Sequence, residues 1–384
     1  MSRTRSRLAR LVFAVGQEHR IPLGMRTIMY LGSGRPTLGI LARMAILFGG
    51  TAAVALVSGG LTVPHGPQWN IICDLKHFVN LECSNSALEV PNENFGLFRD
   101  YATLYHLWMI SAVSVWAGQL TAQLSRLLPD LWLSGALKRR PRRELERLVD
   151  AANKRVASWR VHIALLAAAF GAGATGLAGY QSEGIYAGLA PDGTDPYLFA
   201  LSASDEWWAS GHGLAFWWFI VVATIGNYVN WWTIYVVLEI TIVMWRMRTR
   251  IDFRLDSTNQ DGNWGWSPVF EAIQTASKYV LANIFGLIGI AMLANFNSIQ
   301  YLAVFPVAMI LSVVPFYLAN AIFSNAKDQG MHRWRPRIRL EREVQTVAYS
   351  LAPATIFSTR TIIAQLAFTI IPAILGFWSE FGNE

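Results

Sequence analysis

The sequence predicts an all-α fold. It reads as a polytopic bundle of transmembrane helices with six spans and a seventh at 361–378, its N-terminus on the cytoplasmic side. Three observations predict this. Of 384 residues, 53% are hydrophobic and only 15% charged, where soluble domains carry roughly 25% charge. A soluble surface needs more, so composition favours a membrane class. Next, apolar runs of spanning length recur, the longest at 214–245. A hydrocarbon core of roughly 30 Å needs about 20 such residues of helix. Last, residues 1–43, 126–160, 246–278 and 324–360 hold 30 of the 32 Lys and Arg, leaving Lys76 and Arg99 elsewhere. Cytoplasmic loops carry such an excess, which orients the chain.

The basic segment 1–37 places Leu8, Leu11, Val12 and Val15 on one helical face and Arg3, Arg7 and Arg10 mostly on the other. Such a helix suits the surface of an anionic leaflet. The short apolar part without a small-residue cleavage site argues against a signal peptide. Spans one and two lie at 38–61 and 101–125, within 38–125. Arg43, near the inner end of span one, is expected to snorkel. The outer loop 62–100 carries three prolines and five acidic residues.

Residues 126–158 are the most basic stretch. Pro141 suits the first turn of a helix. Leu145, Leu148, Val149, Ala152 and Val156 recur at helical spacing, so a cytoplasmic amphipathic helix is expected to run into span three. Spans three and four fill 159–245, at 159–180 and 213–245, around an acidic outer loop, 181–212. Small residues four apart, such as Ala172 and Gly176, allow helices to approach closely. A cytoplasmic loop, 246–277, follows. Spans five and six, 278–296 and 301–323, form a hairpin within 278–323. A basic segment, 324–360, precedes the seventh span, 361–378. Pro372 and Arg360 leave a re-entrant or surface helix as its alternative.

Cys73 and Cys83 share one outer loop, so a disulfide is expected. His65 and His77 beside them supply zinc-type ligand atoms, but the spacing matches no known metal pattern. Ionisable groups at membrane depth are functional candidates. Glu239 is the acidic residue set well inside an apolar span. Two readings stay open for it: pairing with an arginine or a neighbouring polar group, or passage of an ion or proton. Asn227, Asn230 and Asn283 are amides that either line a polar cavity or bond between helices. His106 and His162 lie near opposite ends of their spans, which argues against a shared haem or metal. No cofactor, metal site or catalytic constellation is predicted.

The cytoplasmic loop carries Asp252, Asp256, Asn259, Asp261 and Gly262. Spaced carboxylates and amides near glycine suit a hard cation or a capped turn. The spacing is not that of an EF-hand, and no phosphate-loop, zinc-protease or nucleophile-elbow pattern occurs. The stretch Asn259-Gln260-Asp261-Gly262-Asn263-Trp264-Gly265 resembles a His-Pro-Asp-Gly-x-Gly-Gly-like loop of uncharacterised bacterial multi-pass membrane proteins. Here Asn259 and Gln260 replace the His and Pro. The resemblance covers under a tenth of the chain and implies no activity.

Two functional classes follow from these residues. One is a channel or carrier for an ion or small solute in the bacterial inner membrane, resting on Glu239 and the asparagines. The other is a non-enzymatic sensor, effector or scaffold subunit. Its basic inner face, including Arg139, Arg140, Arg142, Arg143, Arg333, Arg335, Arg337 and Arg339, would recruit anionic lipid, an acidic protein or a second copy. A membrane-embedded enzyme or redox subunit ranks below both. Nucleic acid is not an expected partner, because positive loops account for the net charge of +7.

Overall fold

The computed structural model describes residues 12, 35–61, 96–137, 142–182, 208–209, 213–251, 253–256, 259–294, 313–329, 343, 346–347, 349–358, 360–364 and 367. The described residues are helical apart from turns and one isolated bridge, Leu137 with Phe253. Cys73, Cys83, Arg139, Arg140, Asp252, Arg333, Arg335, Arg337 and Arg339 lie outside them, as does most of 361–378.

Among the described residues, six long helices follow in order: α1 (Pro36–Val57), α2 (Tyr101–Leu133), α3 (Arg142–Val156), α4 (Trp159–Ser182), α5 (Leu214–Arg250) and α6 (Ser267–Ala294). A further helical stretch covers 313–329. Proline in the first turn starts α1, where its missing N–H costs nothing. Asp100 caps α2 by accepting from the Thr103 amide at 2.9 Å. Glu144 in the first turn of α3 and Lys154 and Arg155 in its last turn complement the helix dipole.

By length and apolar composition, two described helices can cross a membrane: α1 and Leu214–Arg248 of α5. A third crossing is counted if Arg143–Val156 and Trp159–Thr175, bent by 45°, form one broken span. The chain is therefore a helical membrane protein. The bend lies at Ala157 and Ser158, between the amphipathic helix and the span it was expected to enter.

At 37 residues, α5 is about 55 Å long, well beyond a hydrocarbon core of roughly 30 Å. It is the axis of the bundle, with α1, α2, α3 and α4 all packed on it. The closest partner of α6 is α2. There Met109 fills the space where a side chain on Gly286 would stand. Gly173 of α4 lies against Ala223 and Thr224 of α5, so this small residue serves packing within the chain.

Two regions are layered along the axis. Toward Asp100, the outward faces are apolar: Leu41 and Ile46 on α1, Ile163, Leu166 and Phe170 on α4, and Trp217 and Val221 on α5. Toward Arg250, a large core forms from the second halves of α2 and α5, the apolar stripe of α3, the first half of α6 and Phe253, Leu255 and Trp266. Phe316, Phe323, Tyr349 and Phe357 close it. Phe357 stacks on Phe270 at 5.3 Å and meets Phe316 edge-on at 4.8 Å.

Several boundaries differ from the sequence reading. The helix that begins where span two was expected runs on to Leu133, α6 begins at Ser267 ahead of residue 278, and neither is among the described helices long and apolar enough to cross a membrane. Residues 313–323 of the expected span six pack in the Arg250-end core. In α2 and α6 the helix runs past the point where hydropathy falls and packs in that core. Arg43 is also corrected: it is 2% exposed and donates to Ser114 Oγ at 2.6 Å. It does not snorkel, because α2 covers it and supplies the acceptor.

Candidate functional site

The polar groups that the sequence singles out gather on α5 and on the loop that follows it. Along α5 they form bonds to neighbouring helices. Near the Asp100 end, Trp218 Nε1 donates to Thr51 Oγ1 of α1 at 3.0 Å. Further along, the Tyr228 hydroxyl and His162 Nδ1 of α4 are 2.7 Å apart. Asn230 accepts from the Tyr279 hydroxyl of α6, at its side chain and at its carbonyl. Asn283 donates to the Tyr279 carbonyl at 2.9 Å. Asn230 thus bonds between helices, and Asn283 bonds within its own.

Glu239 is 6% exposed. Arg155 of α3 donates to it from Nε at 3.0 and 2.9 Å, with Nη2 at 2.8 Å from Oε2. Tyr235, one turn earlier, adds its hydroxyl at 3.1 Å. The carboxylate is therefore committed to an ion pair. Of the two sequence readings of Glu239, pairing with an arginine is the one observed. About three turns on, Arg250 meets Glu144 at 3.2 Å, and the two contacts fasten α3 along α5. Arg142 lies in α3, and Arg143, Arg147 and Lys154 are exposed along its outer face.

The loop is a closed turn organised by Asp261. Its Oδ1 accepts from the amides of Asn263 at 3.0 Å and Gly265 at 2.8 Å, and its Oδ2 accepts from Ser267 at 3.1 Å. Partial burial pushes the Asp261 carboxyl up. The amides of Gly265, Ser267 and Asn263, with the Ser267 hydroxyl, outweigh it, and the net shift is below the usual carboxylate value. Asn259 Oδ1 caps the Trp264 amide at 2.8 Å. The chain turns through positive φ at Asn259, Gly262, Trp264 and Gly265. Gly262 and Gly265 suit that backbone because they lack Cβ. Trp264 adopts φ +58°, an uncommon backbone for a residue with a Cβ.

This turn is a docking element. Ser134 at the end of α2 donates to the Gly265 carbonyl at 2.6 Å. The Arg254 amide donates to the Ala136 carbonyl at 2.9 Å, and the Arg254 side chain donates to the Gly135 carbonyl. Trp266 is fully buried between Phe253 and Phe323, each about 5.5 Å away. Asp261 spends its acceptors on backbone amides, and Asp256 contributes its amide to the Trp264 carbonyl at 2.8 Å. Asp261 and Asn259 thus cap a closed turn. Among the described residues no three His, Cys, Asp or Glu side chains come together as a metal-binding group.

Two polar features escaped the sequence reading. Asp100, 1% exposed, accepts from the Thr103 amide and hydroxyl and from Trp208 Nε1 at 2.9 Å. Asp100 before Thr103 was a legible capping signal, but the Trp208 contact was not. Inside the bundle, Gln123 Oε1, Thr224 Oγ1 and Trp232 Nε1 are buried without a hydrogen-bond partner among the described residues. A scan against models of protein families found no match, and searches of the curated proteins and of the solved structures found none either.

Proposed function

We propose that the chain is a non-enzymatic membrane subunit, a scaffold or effector, whose basic inner face recruits an acidic protein partner. In this reading it crosses a bacterial inner membrane six times, with a seventh span at 361–378, and its N-terminus is cytoplasmic. The supporting observation is the fastening of α3 to α5 by Arg155–Glu239 and Glu144–Arg250. It presents Arg143, Arg147 and Lys154 on a fixed edge instead of a loose loop. Fixed charges steer an oppositely charged partner and lose less entropy on binding. The similarity of loop 259–265 to bacterial multi-pass membrane proteins agrees with the location and adds no activity.

Capture from native membranes tests this. The wild-type chain is expected to retain an acidic protein in a salt-sensitive manner. Reversing the charges in Arg143→Glu, Arg147→Glu and Lys154→Glu together should release it. Isolation of the wild type alone, after crosslinking in intact cells, would count against the proposal.

A second reading, a channel or carrier for an ion or small solute, is favoured by one observation. Among the described residues, Gln123, Thr224 and Trp232 keep buried polar atoms unbonded inside the bundle, and such atoms are commonly met by water. Glu239 has no part in this version, since Arg155 holds it. Solute flux into liposomes tests it: passage by the wild type that falls in Asn230→Ala supports a conduit, and no passage rejects it.

A further inference from the structure

Exposed charges on three neighbouring helices locate the end of the membrane-crossing part of α5. Trp218 bonds Thr51 of α1, and Trp208 stands against Gly60, so α1 runs antiparallel to α5. Arg35, exposed just ahead of α1, is about 24 Å from Thr51 along that helix and therefore level with Ile234. Exposed Lys278 adjoins Tyr279, which bonds Asn230, and exposed Lys154 adjoins Arg155, which grips Glu239. Charge is costly in hydrocarbon, so α5 from Leu238 to Arg250 projects beyond it.

On this projecting part Leu238, Ile242 and Trp245 are 40%, 42% and 53% exposed, an apolar row at helical spacing. The ion pairs Arg155–Glu239 and Glu144–Arg250 join α3 to α5 along an antiparallel seam. This register sets Lys154 level with Ile240 and Arg147 level with Met247. At about 100° per residue, Leu145, Val149 and Ala152 of α3 fall on the core side of the seam, and exposed Arg143, Arg147 and Lys154 on its outer side. On α5, Val236, Ile240 and Val243 fall on the core side and the apolar row on the outer side. A row of cations thus runs beside an apolar row, with exposed Asp150 turned further from the seam. Packed helices lie about 8–10 Å apart. One further helix, about 10–12 Å wide with its side chains, can therefore touch both rows.

We propose that the two rows together dock an acidic amphipathic helix of a partner protein, its apolar side chains on Leu238, Ile242 and Trp245 and its carboxylates toward Arg143, Arg147 and Lys154. The chain's own segments 1–34 and 330–342 hold eleven Arg and two Glu, so their charge opposes binding here. The projection of α5 past the hydrocarbon excludes lipid acyl chains. The inference rests on the recruitment of an acidic protein by α3 and adds what that protein must present.

Photocrosslinking of the full-length protein in intact cells tests it. Benzoylphenylalanine takes the place of Ile242 or, as a control, of exposed Gln274 on α6, and the trapped peptides are sequenced by mass spectrometry. The probe at Ile242 should trap a peptide with apolar residues at helical spacing and Asp or Glu beside them, and the probe at Gln274 should not. Leu238→Ser/Trp245→Ser should lower the trapped yield at least about tenfold, as expected for buried anchor side chains. Arg143→Glu/Arg147→Glu/Lys154→Glu should lower it as much, while Arg143→Lys/Arg147→Lys should keep it. No adduct, a peptide without acidic residues, or a yield indifferent to either set of changes would overturn the proposal. Adducts only with lipid, with a second copy or with the chain's own segments would do the same. An acidic protein that is released by charge reversal on α3 but retained by Leu238→Ser/Trp245→Ser would sink this inference and leave recruitment standing. Absence of any acidic protein from the wild type would sink both.

Discussion

Arg155 of α3 grips the carboxylate of Glu239 on α5 through two guanidinium nitrogens, at 2.8 to 3.0 Å. The acid is buried, whereas the arginine side chain is 39% exposed. This asymmetry makes the two partners unequal under mutation, because a buried charge that loses its partner cannot recover solvation.

Arg155→Met should therefore cost about 2 kcal/mol, below the range for fully buried pairs because solvent screens the arginine. Arg155→Met/Glu239→Met should be more stable than Arg155→Met alone. Thermal unfolding in detergent, read as a double-mutant cycle, checks this. A double variant less stable than Arg155→Met would contradict the assigned desolvation.

Asp261 gives a pH dependence. Its folded carboxyl lies below the usual Asp value, after burial raises it and the amide donors more than offset that. A group depressed on folding stabilises the native state above its unfolded pKa, and that stability is lost as pH falls through the folded value. Wild type should thus exceed Asp261→Asn in Tm at neutral pH, and the gap should close below about pH 4. A gap that persists into acid would mean that side-chain shape, not charge, organises the turn.

Gly265 has φ +84°, and a Cβ there would stand 3.0 Å from the Ser134 carbonyl oxygen and 3.2 Å from Asp256 Cβ. Gly265→Ala should lose about 1–2 kcal/mol from the left-handed backbone alone, and more from the contact with α2. Gly262→Ala shares the positive φ but meets nothing within 4 Å, so it should cost less. Equal Tm losses would show that docking on α2 contributes little.

Asp100→Ala should strand the Trp208 indole N–H and the Thr103 amide together. Each buried donor left unpaired costs about 1–3 kcal/mol, so this substitution is expected to exceed Thr103→Ala. Proteolytic susceptibility of the segment joining α4 to α5 should rise with it, since Trp208 is tied to α2 through Asp100. Unchanged cleavage would show that other contacts hold that segment.

The helical class, the apolar run of α5 and the amphipathic stripe of α3 were legible in the chain, because each is a local periodicity that burial then obeys. The Asp261 turn was half legible. Its Asp, Asn and Gly content signalled a turn, but which amides the Asp261 carboxylate accepts was not legible.

Composition and order of residues by themselves determined a helical membrane protein with its basic residues concentrated in four segments, since lipid demands apolar helices and charge avoids it. Only the tertiary structure decided where the polar groups go. Arg43 turned inward to Ser114, Glu239 was taken by Arg155, Asn230 by Tyr279, and α2 and α6 were carried past their apolar limits into a second core. These partners lie on other helices, dozens of residues away. Which donor meets which acceptor depends on helix rotation and offset, and those are set by packing across the whole bundle.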